Sequence, residues 1–503
     1  MSPIPTPFTY CLASRHATGE SGNPIIFGVA LTICQQSSDV GPEFHHLSLT
    51  ILDLPNELLI NIVDLLPTED LFSIIILSRR LHCLAITLLL SRYDLHSPEK
   101  GGSLYISKHK AILALNLWRR SLVFECPRLL SIHLQVDDTK ACRLLSRFFT
   151  SLQGVNGIHS IEVRLDEIPD PAFVDVLDAL CVTNVVSLTI DHRSNNICKT
   201  VMPSKIKRRP TLLPNLRAFQ PHAALLFNMP YARWTLETIN CSKISELSLV
   251  TPGLISPSWN NVLGRLNVPS LHILRVEGEL SQAVLNRFLF RHRELQELHI
   301  GYHSDCHTVT QLQCPPPELP CLHTLSAPIP YLLRLLGDSR SKIIILAKLT
   351  VLPDVQHDDP AHFLCNLSRI LAAVVDCEYL WSLKLMVPPQ LAAASEDVIY
   401  GGFGFIMQDP GVHLMEVRAV ILEQASQTRA LREDAFSPSL LKSLPYWLQQ
   451  FPMLNALQLW EDAAMDRSED LSRVRSSCKT LSEIFIWSGG SELCWTANVE
   501  EVV

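Results

Sequence analysis

The densest gathering of metal-binding side chains is the stretch HSDCHTVTQLQCPPPELPCLH, which offers His303, Cys306, His307, Cys314, Cys321 and His323. Imidazole nitrogen and thiolate sulfur are ligands that tetrahedral zinc takes. The spacings fit no compact finger, however, and the proline run at 315–317 reads as a connecting loop. His192 beside Asp191, and Asp376 beside Cys377, place titratable neighbours together, but both read as solvated strand ends rather than as a base and a nucleophile. GGFGF from Gly401 has the glycines of a phosphate loop without the lysine or the second half of such a motif. No serine, cysteine or carboxylate stands in an elbow or a paired context that selects it. The expectation is a chain with no catalytic residue, no metal and no cofactor, acting through contact surfaces rather than bond chemistry.

Those surfaces must be built by a long chain. At 503 residues it exceeds one ordinary compact core, so two or more domains or one elongated repetitive domain are expected. A net charge of -8 with 18% charged residues gives no electrostatic reason to seek nucleic acid or an anionic membrane as partner. The apolar piece Ile25–Cys34 falls short of the roughly 20 residues that span a bilayer, and no basic segment leads into it, so a signal peptide is not expected. Residues 1–47 read as a flexible arm. The 15 cysteines are scattered without a C-x-x-C pair, which suits reduced, mostly buried thiols in the cytoplasm or nucleus.

The first ordered element is expected in LDLPNELLINIVDLLPTEDLFSIIILSRRLHCLA, residues 52–85. Pro55 suits the first turn of a helix because the amide it lacks would be unpaired there. Leu58, Ile62 and Leu65 recur at intervals of four and three, with Leu59 and Leu66 widening the stripe. Pro67 ends that helix, and Thr68 can cap a second one with Glu69 and Asp70 in its first turn. The second helix carries Leu71, Ile74, Ile75, Leu77 and Leu81, with Arg79 and Arg80 near its end, where positive charge is favourable. A short third helix holds Leu84, Ala85, Leu88 and Leu89. Three helices in about 40 residues cannot bury this much leucine and isoleucine among themselves, so another domain or another chain must cover the remainder.

Leu54-Pro55, Glu57-Leu58-Leu59 with Ile62, Leu66-Pro67 with Asp70-Leu71, and Leu77-Ser78-Arg79-Arg80-Leu81 resemble the F-box, at residues 48–92. The resemblance is to an F-box protein of fungal type with degenerate leucine-rich repeats, similar to the substrate receptors of cullin-RING (SCF) ubiquitin ligases. It implies docking on the ligase adaptor and, through it, on a cullin scaffold. Carried over by position, the adaptor contacts would be Leu54, Pro55, Leu58, Ile62, Leu65, Pro67 and Leu71.

After an expected helical linker at 93–125, residues 126–503 carry the pattern apolar-x-x-apolar-x-apolar at a pitch of about 29 residues. It begins at Leu129, Ile158, Val185, Leu213, Ile244, Leu271, Leu295, Leu322, Leu346, Leu380, Val412, Leu454 and Leu481. Helix-like segments fill several gaps, from Lys140, Pro171, Ser281, Ala361 and Ser439. Strand, turn and helix at this pitch predict an α/β solenoid of parallel strands resembling leucine-rich repeats. The usual amide ladder is poorly kept, and a pair of ordinary α/β domains would also alternate strand and helix.

Two function classes follow. In one, the solenoid holds an unknown target protein while the F-box docks on the ligase. In the other, the chain is a repeat scaffold whose helices serve only as a cap, without ubiquitin linkage. Because side chains alternate across a strand, target contacts are expected toward the C-terminal end at Trp381, Lys384, Gln458, Trp460, Phe485 and Trp487. A more polar surface is offered near the N-terminal end by His133, Gln135, Glu162 and Arg164.

Overall fold

The computed structural model describes the chain between Ile51 and Thr496 apart from connecting stretches, among them 93–102, 118–126, 193–212, 302–316, 400–413 and 425–437. The expected arm at 1–47 lies outside the described residues, as do His303, Cys306, His307, Cys314, Asp376 and Gly401. Met1–Leu54 and Pro55–Val503 form separate units. Of the first, the 3-10 turn Ile51–Asp53 and Leu54 are described, with the Leu54 amide 3.4 Å from the Ile51 carbonyl.

Three helices open the larger unit: α1 (Asn56–Asp64), α2 (Thr68–Ile74) and α3 (Arg79–Arg92). Pro55 and Pro67 occupy the residues before α1 and α2, at ψ 152° and 155°, extended backbone that proline's fixed φ favours. Pro67 takes the cap position expected for Thr68, which is instead the first helical residue. The helix expected to run through Leu81 breaks after Ile74. Ser78 Oγ accepts a hydrogen bond from the Leu81 amide at 3.1 Å and so caps α3, and one continuous helix holds Leu81 through Leu89. Arg79 and Arg80 therefore open α3, at the helix end where the macrodipole disfavours cations, rather than closing α2 where it would favour them.

Beyond the helices runs one sheet in strict sequence order: β1 (Ser103–Ile106), β2 (Leu129–Leu134), β3 (Ser160–Leu165), β4 (Ser187–His192), β5 (Ala218–His222), β6 (Glu246–Leu249), β7 (Ile273–Val276) and β8 (Glu297–Ile300). It continues through β9 (Thr324–Pro328), β10 (Lys348–Leu352), β11 (Ser382–Val387), β12 (Ala419–Gln424), β13 (Ala456–Trp460), β14 (Glu483–Ser488) and β15 (Ser491–Thr496). Neighbours pair in parallel, except that β15 turns back antiparallel on β14. β1 stands inside the stretch expected to be a helical linker, so the sheet begins earlier than residue 126.

Between strands lie α4 (Thr139–Ser151), α5 (Phe173–Leu180), α6 (Ala232–Cys241), α7 (Trp259–Arg265), α8 (Gln282–Arg291), α9 (Ile329–Leu336), α10 (Pro360–Ala373), α11 (Pro389–Ala392), α12 (Pro438–Leu448) and α13 (Ser468–Ser477). The five helices expected from composition are among them. The molecule is thus a short helical module followed by a repeating α/β solenoid.

Three expected strands sit out of register. In the first, Leu130 and Ile132 are buried while Leu129 is only partly so, and the side chain of Leu134 lies outside the described residues; Leu216, Phe219 and Pro221 replace the set from Leu213; and Val417, Val420 and Leu422 replace the set from Val412, leaving Met415 exposed. In segments this rich in apolar residues the pattern fits overlapping frames, and pairing with the neighbouring strand selects one. Gly301 marks a tight spot: a Cβ there would lie 2.7 Å from Glu277 Cγ, so glycine lets the Glu277 side chain fold across it.

The core is continuous from end to end. Val63, Leu71, Ile75, Ile86 and Leu89 of the helical module belong to the same contiguous cluster as Leu130, Ile132 and the strand anchors after them. The module therefore closes one end of the repeat stack, which a solenoid needs because an end repeat has a neighbour on one side only.

Candidate functional site

Helix α1 is apolar around most of its circumference, and the fold divides it. Leu59 and Val63, one turn apart, are buried. Leu58, Ile62 and Leu65 form the adjacent stripe and are bare: Leu58 is 49% and Leu65 85% exposed. Ile60 and Leu77, which are not among the expected adaptor contacts, are also exposed, Leu77 at 68%. Pro55 and Pro67 are exposed, and Leu54, considered within its own unit, is partly buried. Leu71 differs from the expectation. It is fully buried on the inner side of α2 and belongs to the core rather than to a docking face.

This face is held by polar ties between the helices. Arg80 Nε donates to Asn56 Oδ1 at 2.9 Å, linking the start of α3 to the start of α1. Arg92 donates to the carbonyls of Asp64 and Leu66 and stands 3.7 Å from the Asp64 carboxylate. A cation at the C-terminal end of α1 satisfies orphan carbonyls and complements the helix dipole. Buried His82 places Nδ1 3.0 Å from the Ile75 carbonyl, fixing α3 to the end of α2.

The second surface is the strand face of the solenoid. Register aligns Lys384, Ile421, Gln458 and Phe485 across β11 to β14 and pairs the backbones of Trp460 and Trp487, whose side chains lie outside the described residues. Lys384 pairs with Glu423, and Gln458 and Phe485 are partly exposed. Trp381 does not join this row. It precedes β11 on the opposite parity from Lys384, 44% exposed, with Lys348 Nζ 5.1 Å from its ring centre.

Nearer the N-terminal end the face is polar and internally matched. Ser131 donates to Glu162 at 2.9 Å, Arg164 Nε donates to Glu162 at 2.7 Å, and His133 meets Asp166 at 2.6 Å. Gln135 lies outside the described residues. Arg275 pairs with Glu246, and His299 stands 3.5 Å from Glu297. Burial pushes His222 and His299 below the ordinary histidine range, against the pull of Asp191 on His222, and pushes Glu277 above the ordinary carboxylate range. Asp191 and His192, expected as solvated, are buried at the end of β4. His323 Nδ1 lies 3.0 Å from Thr324 Oγ1. Among the described residues no three His, Cys, Asp or Glu side chains gather as a metal site, and no helix is long and apolar enough to cross a membrane.

Both surfaces suit protein contact: a bare apolar stripe on a braced helix, and a long strand face with side chains at regular spacing. No curated protein matches the chain. Residues 51–92, the helical module with the turn before it, match the F-box domain family. The chain thus carries an F-box domain, a non-catalytic adaptor module, joined to a leucine-rich-repeat-like solenoid in a protein built for protein–protein interaction.

Proposed function

We propose that this chain is the substrate-recognition subunit of an SCF-type ubiquitin ligase, acting in the cytoplasm or nucleus. The F-box docks the ligase adaptor, and through it a cullin, by Leu58, Ile62 and Leu65 together with Leu54, Pro55 and Pro67. The target protein is held on the strand face near Lys384, Gln458, Trp460, Phe485 and Trp487, with Trp381 at its margin. The observation that carries the reading is the split of α1. One stripe is sunk in the core, while the other leaves three large apolar side chains in water. Covering them would contribute on the order of 3–5 kcal/mol at the usual value per buried side chain.

The test is co-purification with the ligase adaptor. Leu58→Asp with Ile62→Asp should abolish capture while the melting temperature of the chain stays within a few degrees of the wild type. Undiminished capture by that variant would remove this face from the interface. For the target surface, Trp460→Ala with Trp487→Ala should deplete partners other than the ligase subunits, once circular dichroism shows the fold intact; an unchanged set of those partners moves the search to Glu162 and Arg164.

A second reading is a repeat scaffold without ubiquitin linkage, favoured by the way the F-box helices close the solenoid core. It predicts no adaptor capture by the wild-type chain, with the same double aspartate variant equally soluble.

A further inference from the structure

Where the chain leads into β10 through β13, the turns carry a row of exposed large side chains that neither the F-box nor the strand face uses. Ile345, Tyr379, Met415 and Met453 are all exposed there. Tyr379, Glu416 and Met453 hold equivalent positions, each directly before a buried anchor: Leu380, Val417 and Leu454. The turns are laid side by side by backbone bonds, Arg418 N to Trp381 O at 2.9 Å and Asn455 N to Arg418 O at 2.8 Å. At strand spacing, Tyr379 and Met453 therefore stand roughly 10 Å apart with Glu416 between them.

A cleft of about 380 Å³ opens between the turns before β11 and β12. Val375 lines it over a floor of buried Leu380, Leu414 and Val417, and Glu378, Met415 and Glu416 stand exposed at its mouth. Cys377 also lines it, but its thiol reaches the Ile343 carbonyl at 3.6 Å. Both glutamates are exposed, and among the described residues neither has an ion-pair or hydrogen-bond partner. On the strand face, by contrast, Glu162, Glu246 and Glu423 each meet a cation. Among the described residues, Arg418 stands two positions after Glu416, directly before β12, and Lys348 lies over the Trp381 ring.

We propose that this rim is a second docking site, and that its occupant is a partner-protein segment bearing a lysine or arginine beside a large apolar residue. The long aliphatic stem of such a cation matches the exposed Met415 and Tyr379 side chains, and its head group matches two carboxylates that no described residue pairs. The apolar neighbour falls on Tyr379 or Met453. An extended segment of three or four residues covers the distance. The site is independent of the F-box and of the ubiquitin reading.

The probe is a fluorescein-labelled peptide, Gly-Leu-Arg-Phe-Arg-Leu-Gly, titrated with the full chain by fluorescence anisotropy, beside a counterpart with glutamate for both arginines. The arginine peptide should bind at least tenfold more tightly than the glutamate peptide. Glu378→Lys with Glu416→Lys should reverse that order, and Met415→Ser should weaken both-sided contact several-fold. All three side chains are exposed, so melting should not change; Glu378→Gln with Glu416→Gln gives a milder check on the same charge effect. Absence of binding at millimolar chain, equal binding of the two peptides, or indifference to charge reversal would each overturn the proposal.

Discussion

Helices α1 and α5 are alike in composition and opposite in fate. In α5, Phe173, Val174, Val176, Leu177, Ala179 and Leu180 are all buried. In α1, which carries Leu58, Leu59, Ile60, Ile62 and Val63, only Leu59 and Val63 are. The interior helix packs on α4, its neighbour in the stack, and Phe173 also meets the Tyr231 ring before α6 at 5.9 Å between ring centres, so it is covered from the repeats before and after it. The end helix packs on α3 and is covered on one side. An apolar helix is left bare by its place in the stack, not by its residue content.

The sharpest way to break that comparison is Leu71, which resembles a contact residue by motif and behaves as an interior residue by position. Leu71→Ala should cost about 2–5 kcal/mol in urea unfolding, as for other fully buried leucines. A cost near zero would return Leu71 to the bare face.

Gly301 probes whether interior repeats are as tightly set as burial implies. Gly301→Val drives a Cβ to within 2.7 Å of Glu277 Cγ and should destabilise by about 1–3 kcal/mol. Glu277→Ala in the same chain should restore part of that loss, and a double-mutant cycle measures how much.

His292, at the end of α8, tests the interior electrostatically. Its ring accepts from the Val268 amide at 3.1 Å and faces the Phe288 carbonyl at 2.7 Å, an arrangement that needs the neutral ring. Burial lowers its pKa from the ordinary 6.5, outweighing the pull of the Phe288 carbonyl. The unfolded chain therefore takes up more protons, and the stabilisation present above pH 6.5 is lost as pH falls through the folded value. Unfolding free energy measured from pH 7 downward should decline, and His292→Gln should flatten that slope.

The smallest stability effect belongs to the end helix. Leu65→Ser should change unfolding free energy by no more than about 0.5 kcal/mol, yet reduce adaptor capture at least tenfold. Loss of stability without loss of capture would make α1 an ordinary cap.

Much of this was legible in the sequence because two periodicities carry it. The strand anchors and the helices between them follow from apolar spacing, and the prolines at 55 and 67 mark helix starts. What stayed hidden depends on neighbours. Leu58 and Leu59 are the same residue type one position apart, and nothing local says which faces the core. Ser78 looks like one polar residue in an apolar run until its hydroxyl takes the Leu81 amide, which moves Arg79 and Arg80 from a helix end to a helix start. After Val412 an apolar-rich segment satisfies the pattern more than once, and the strand takes the frame of Val417. Trp381 lies between apolar anchors as Lys384 does, but it precedes β11 and strand parity separates the two.

The unbroken sheet also works as a ruler. From β1 to β14 the strands follow one another without a gap or a crossover, thirteen steps of about 4.8 Å, or roughly 60 Å measured along the sheet. Positions on β1 and on β13 are therefore spaced by a count of strands. Deleting one repeat would shorten the interval by about 5 Å and turn the far face by one strand's twist, roughly 20°, leaving both proposed surfaces chemically unchanged while displacing one relative to the other.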